Sequence, residues 1–212
     1  DAADPAQLAG PVGAAQAGAG AAPGRHRVDQ ADRDATFGVL GESFGRTARV
    51  DDWEAWKEQV RNEGPQLFVA LPHHSVTGAM DALEIGDGNQ LSQGRMSRLY
   101  VTPSADGPGP VVVLFGCETQ KHGEMGYVSF AREFTRHRAA IVVGTMARVL
   151  GRHAAPVAQC LIRDLADIRG QERFAILMRR LRRRMLARGY LMAFCLVALG
   201  DGDWQMMPKP QE

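Results

Sequence analysis

The chain has 212 residues, of which 45% are hydrophobic and 23% charged, and its formal net charge is +1. That length is enough for one domain with a sizeable core, and the charge balance gives no overall pull toward nucleic acid or a membrane surface. No apolar run reaches the length needed to span a bilayer, and three cysteines without framework spacing argue for a reduced, intracellular protein rather than a disulfide scaffold.

Residues 1–24 are almost all Ala, Gly and Pro with a few polar residues. So little apolar area cannot offset the entropy of ordering, and residues 1–35 are expected to be a flexible linker ahead of a domain spanning 36–212. The segment 25–34 is charged and can begin the fold. A linker at this end, on a chain that starts with Asp1, suggests a piece of a longer protein with another module upstream.

A short apolar element of undetermined type is expected at 35–44, and a short strand at 47–50. Asp51, Asp52 and Glu54 make a helix start, with Trp53, Trp56 and Val60 spaced to give one apolar face, and Gly64-Pro65 ends it. Residues 66–71 read as a buried strand that runs into the loop Pro72-His73-His74-Ser75. Adjacent histidines rarely bind one metal together, and no Cys or carboxylate stands at ligand spacing nearby, so no metal is expected. One of the two is a candidate general base. Leu83-Glu84-Ile85-Gly86 reads as a short strand, and residues 91–101 as helical or irregular.

The most informative stretch is Pro110–Thr119. Val111, Val112, Val113, Leu114 and Phe115 lack polar alternation, which fits a strand buried on both faces of a parallel sheet. Gly116 breaks it, and Cys117 follows at the strand's carboxyl end, the edge where open α/β sheets carry their ligands. A helix expected at 125–137 would bring its dipole to the thiolate. Residues 139–144 form another buried strand, with Thr145, Met146 and Arg148 emerging at the same edge. A helix follows at 149–168, interrupted near Pro156, which would sit in a first turn. A second, at 170–188, turns Phe174, Leu177, Leu181 and Met185 inward and presents an arginine-rich face, read as solvated rather than as a nucleic-acid surface. A last strand is expected at 191–199. Cys160 and Cys195 read as core residues, and His137 and His153 as surface ones.

Strands thus alternate with helices, the pattern of an α/β sandwich with a mainly parallel sheet. A right-handed crossover can set the ends of the His73 and Cys117 strands side by side. An imidazole beside a thiol can take its proton, and nearby backbone N–H groups can hold an oxyanion, which is the equipment for acyl transfer. His122 is a second candidate base. Two other readings compete with a peptidase: a silent scaffold that binds a peptide, and a cysteine hydrolase of small amides.

The strand ending in Pro72-His73, together with Val111–Phe115-Gly116-Cys117-Glu118-Thr119, resembles the CHAT domain family, caspase-like proteases related to separase. Leu83–Gly86, the 139–145 strand and turn, and Phe194–Asp201 support it, over roughly residues 36 to 204. The resemblance implies a caspase-haemoglobinase-like three-layer sandwich with a mainly parallel central sheet. It implies a cytoplasmic cysteine endopeptidase with His73 as base and Cys117 as nucleophile, needing no cofactor. His74, Gly116, Glu118, Thr145, Met146 and Arg148 would surround the oxyanion and substrate. It further implies a protein or peptide substrate and activation by a partner or an upstream sensor module. Two departures stand out. His74 occupies the place where the family usually has Gly, and the Gln-Ala-Cys signature of caspases is absent, so cleavage after Asp is not inherited. Arg148 would favour an acidic substrate side chain, whereas Asp81, Glu84 or Asp87 would favour a basic one.

Overall fold

The computed structural model describes residues 12–15, 28–77, 80–85, 89–102, 109–115, 126–146, 151–167 and 172–205. Their centre is a six-stranded sheet in the order β2-β1-β3-β7-β8-β9. The strands are β1 (Val12–Ala15), β2 (Thr47–Val50), β3 (Leu67–Ala70), β7 (Val111–Leu114), β8 (Ile141–Thr145) and β9 (Leu196–Gly200). All neighbours run parallel except β9, which is antiparallel to β8. A smaller antiparallel sheet joins β4 (His73–Thr77), β5 (Met80–Ile85) and β6 (Asn89–Ser92).

Every side chain of β3, β7 and β8 is buried. Alternation divides them between two cores. Leu67, Val69, Val111, Val113, Ile141 and Val143 face α1 (Gln30–Phe44), α4 (Gly151–Ala166) and α5 (Phe174–Ala187). Phe68, Ala70, Val112, Leu114 and Val142 face α2 (Trp53–Glu63), α3 (Gly126–Arg136) and the small sheet. The result is a three-layer α/β/α sandwich, as the run of unalternating apolar strands predicts.

The second core is pinned by two indoles. Trp53 Nε1 donates to Leu83 O at 3.0 Å and Trp56 Nε1 to Tyr100 O at 2.8 Å, while the Trp56 ring stacks on Phe68 at 4.7 Å between centroids. These bonds hold α2 against β5 and against a 3₁₀ turn at Arg98–Tyr100. The helix itself starts as expected, with Asp52 Oδ1 accepting from Ala55 N at 2.7 Å, and stops at Gly64 in the left-handed conformation.

Several expectations are corrected. Two elements fall inside the expected linker 1–35. Val12–Ala15 forms β1, hydrogen-bonded between β2 and β3, and α1 begins at Gln30, capped by Asp29, which accepts from Asp32 N at 2.7 Å. The Ala/Gly composition gave no apolar signal, but a strand flanked on both sides draws its stability from ladder hydrogen bonds rather than from large side chains. The segment 91–101 is the end of β6 followed by 3₁₀ turns at Gln93–Arg95 and Arg98–Tyr100. Pro156 lies inside α4, not in its first turn. Its missing N–H removes one bond, to the carbonyl of the exposed Arg152, so the helix continues through it. The expected strand 191–199 is a 3₁₀ turn, Leu191–Cys195, leading into β9. Cys160 and Cys195 are half-buried free thiols rather than core residues, and His137 is half-buried, 3.7 Å from Glu133. No described helix is long and apolar enough to cross a membrane.

Candidate active site at the carboxyl edge of the sheet

β3 and β7 are adjacent, parallel and in register, with Leu67 opposite Val111 and Ala70 opposite Leu114. The ladder continues one step further, where Phe115 N donates to Ala70 O at 3.0 Å. His73 stands three positions after Ala70 (73 against 70), and Cys117 three positions after Leu114 (117 against 114). In sequence, then, the two residues follow the carboxyl ends of adjacent parallel strands by the same count. Gly116, Cys117, Glu118 and the second candidate base His122 lie outside the described residues, as does Arg148.

His73 is not in a loop, as the sequence suggests. It opens β4 and pairs directly with Glu84 of β5, while His74 pairs with Leu83. The antiparallel ladder fixes the His73 backbone on a strand tied through Leu83 to Trp53. Glu84 is only 7% exposed, so it offers no open surface to a basic substrate side chain. The helix expected to bring its dipole to Cys117 starts at Gly126.

The end of β8 supplies the rest. Thr145 is buried at 1% exposure and pairs with Leu196, whereas Met146 is 63% exposed. Met146 N donates to Cys195 O at 2.8 Å, so this N–H serves the 3₁₀ turn rather than an incoming strand. The same turn exposes Leu191 at 71% and Phe194 at 75%. Met146 is expected in the loop at this edge, whereas the exposure of Leu191 and Phe194 is not, because both fall in a run that reads as a buried strand. A cleft of about 250 Å³ opens between α5 and β9, lined among others by Phe174, Met178, Arg182 and Leu199. It adjoins Ile141 and Gly200, at the other end of β8 from Thr145, and so belongs to a different part of the molecule.

The arginine-rich face of α5 is largely matched within the fold. Arg184 pairs with Asp164, Arg180 with Glu172 at 2.8 Å, and Arg182 Nη2 donates to Leu196 O at 2.7 Å. These contacts fit a helix docked on α4 and β9 by charge-assisted bonds.

No protein-family model matches the chain, and no curated protein sequence does. Among solved structures it is similar to the Drosophila initiator caspase Dronc, with 12% identity, a TM-score of 0.54, and coverage of 94% of this chain and 82% of that one. It is also similar to a structure described simply as that of a protease, with 12% identity and a TM-score of 0.58, covering 96% of this chain and 49% of the other, so that it spans about half that protein's length. Identity this low speaks to architecture alone. The chain has a caspase-like α/β fold, with the mostly parallel six-stranded sheet flanked by helices on both faces.

Proposed function

We propose that the chain is a cysteine endopeptidase of the CHAT type, with Cys117 as nucleophile and His73 as its base. The observation that carries this reading is the register of β3 and β7, whose carboxyl ends the two residues follow in sequence by the same number of positions. The proton of the Cys117 thiol passes to the His73 imidazole, and the thiolate attacks the peptide carbonyl. Backbone N–H groups beside Cys117 and at His74 hold the oxyanion. The imidazolium protonates the leaving amine, giving an acyl-enzyme, and water activated by the imidazole then releases the acid. Met146, Leu191 and Phe194 offer apolar contact to a substrate side chain, with Gly116, Glu118, Thr145 and Arg148 around the same edge. The enzyme works in the cytoplasm, where its thiols stay reduced. It is the effector part of a larger protein, held in check until a partner or upstream module engages it.

Iodoacetamide labelling of Cys117 across pH tests the dyad, on the wild-type chain and on His73→Ala and His74→Ala. A dyad labels Cys117 well below the free-thiol pKa of about 8.5, and His73→Ala abolishes that while His74→Ala does not. Loss with His74→Ala alone moves the base to His74. A thiol that labels like a free cysteine in all three favours the silent scaffold.

A further inference from the structure

Two carboxylates are buried among the described residues, Asp164 and Glu84. A buried carboxylate is tolerated only where a hydrogen bond or a cation compensates its desolvation. Asp164 has Arg184. Glu84 sits in β5 between Leu83 and Ile85, both fully buried in the second core. Strand alternation turns Glu84 to the opposite face from these two. The residue directly across the β4–β5 ladder is His73. Directly opposed residues of an antiparallel pair project to one face, with Cβ atoms about 4.5–5.5 Å apart. The carboxylate and the imidazole thus share a face at the edge where the Cys117 strand also ends.

We propose that Glu84 is the positioning carboxylate of His73, holding the imidazole in one orientation and tautomer and stabilising the imidazolium. The inference rests on the dyad reading and adds a third member to it. Proton balance is simple. The thiol proton moves to one ring nitrogen of His73 while the other ring N–H donates to Glu84, which takes up no proton in the step. His74, which pairs with Leu83, has no such partner across the ladder, so the register distinguishes the two histidines.

The test uses the full chain in two forms. In a Cys117→Ala background, NMR follows the His73 ring as pH is varied, with Glu84 intact and with Glu84→Gln. Loss of the carboxylate makes His73 protonate at lower pH, because the imidazolium has lost its counter-charge. An unmoved titration overturns the proposal. With Glu84 intact, the neutral His73 ring shows one tautomer, and a mixture of both overturns the proposal without any change at Glu84. With Cys117 present, Glu84→Gln slows iodoacetamide labelling at neutral pH by about tenfold, less than the roughly 10²–10⁴-fold of a group that itself transfers the proton, and Glu84→Asp restores part of it. Fast labelling that is unchanged in Glu84→Gln overturns the role of Glu84 and leaves the dyad standing. Labelling at the free-thiol rate in the wild-type chain removes the dyad, and the His73 titration then decides the pairing on its own.

Discussion

Replacing Gly200 by Ala tests how β9 is fastened to the sheet. Gly200 has φ +130°, a conformation that L side chains rarely adopt, and it faces Ile141 on the first rung of the β8–β9 ladder. A Cβ there would stand 2.2 Å from Ala140 O and 3.0 Å from Ile141 Cα, both backbone atoms that cannot swing aside. Restoring ordinary contact near 3.4 Å requires a separation of at least 1.2 Å (3.4 − 2.2) at that rung. The strained backbone costs about 1–3 kcal/mol, and weakening a ladder hydrogen bond about 0.5–1.5 kcal/mol more. A total of about 1.5–4.5 kcal/mol lowers the melting temperature of a chain this size by about 3–18 °C. Calorimetry or circular dichroism reads that shift. A Gly200→Ala protein melting within a degree of wild type refutes the argument. The rung lies at the far end of β8 from Thr145, so labelling of Cys117 below the transition should not change.

Gly38→Ala is the matched control. Gly38 lies inside α1, is exposed, and a Cβ there meets nothing within 4 Å. Helix propensity alone raises stability by about 1 kcal/mol, seen as a higher melting temperature, and a lower one would contradict the open environment. Arg184→Ala should destabilise by about 1–3 kcal/mol, because Asp164, at 7% side-chain exposure, is left charged and buried. Asp164→Asn removes that charge and should cost less. Urea midpoints order the two variants, and the reverse order would show that the pair does not bridge α4 and α5 as described.

The extent to which the site was legible differs residue by residue. Cys117 and His73 stand out in the sequence because each follows a short apolar run broken by Gly or Pro, a local signal. The place of Glu84 also had a signal, a carboxylate set between Leu83 and Ile85 in an apolar strand. Its meaning depends on which residue faces it, and the sequence suggests only a pocket for a basic side chain. The exposed surface of Leu191 and Phe194 was hidden, since each is as apolar as its buried neighbours and only packing tells them apart.

The sequence by itself determined the elements whose signal is short-range. β3, β7 and β8 follow from β-branched runs, α2 from its Asp52 cap and tryptophan spacing, and the buried face of α5 from Phe174, Leu177, Leu181 and Met185. Only the tertiary structure decided the pairings between distant segments. It set β1 from an Ala/Gly stretch between β2 and β3, turned β9 antiparallel, carried α4 through Pro156, and put Glu84 opposite His73. Strand partners and register are fixed by hydrogen bonds and core contacts between residues far apart in the chain, and these leave no periodicity in the residues themselves.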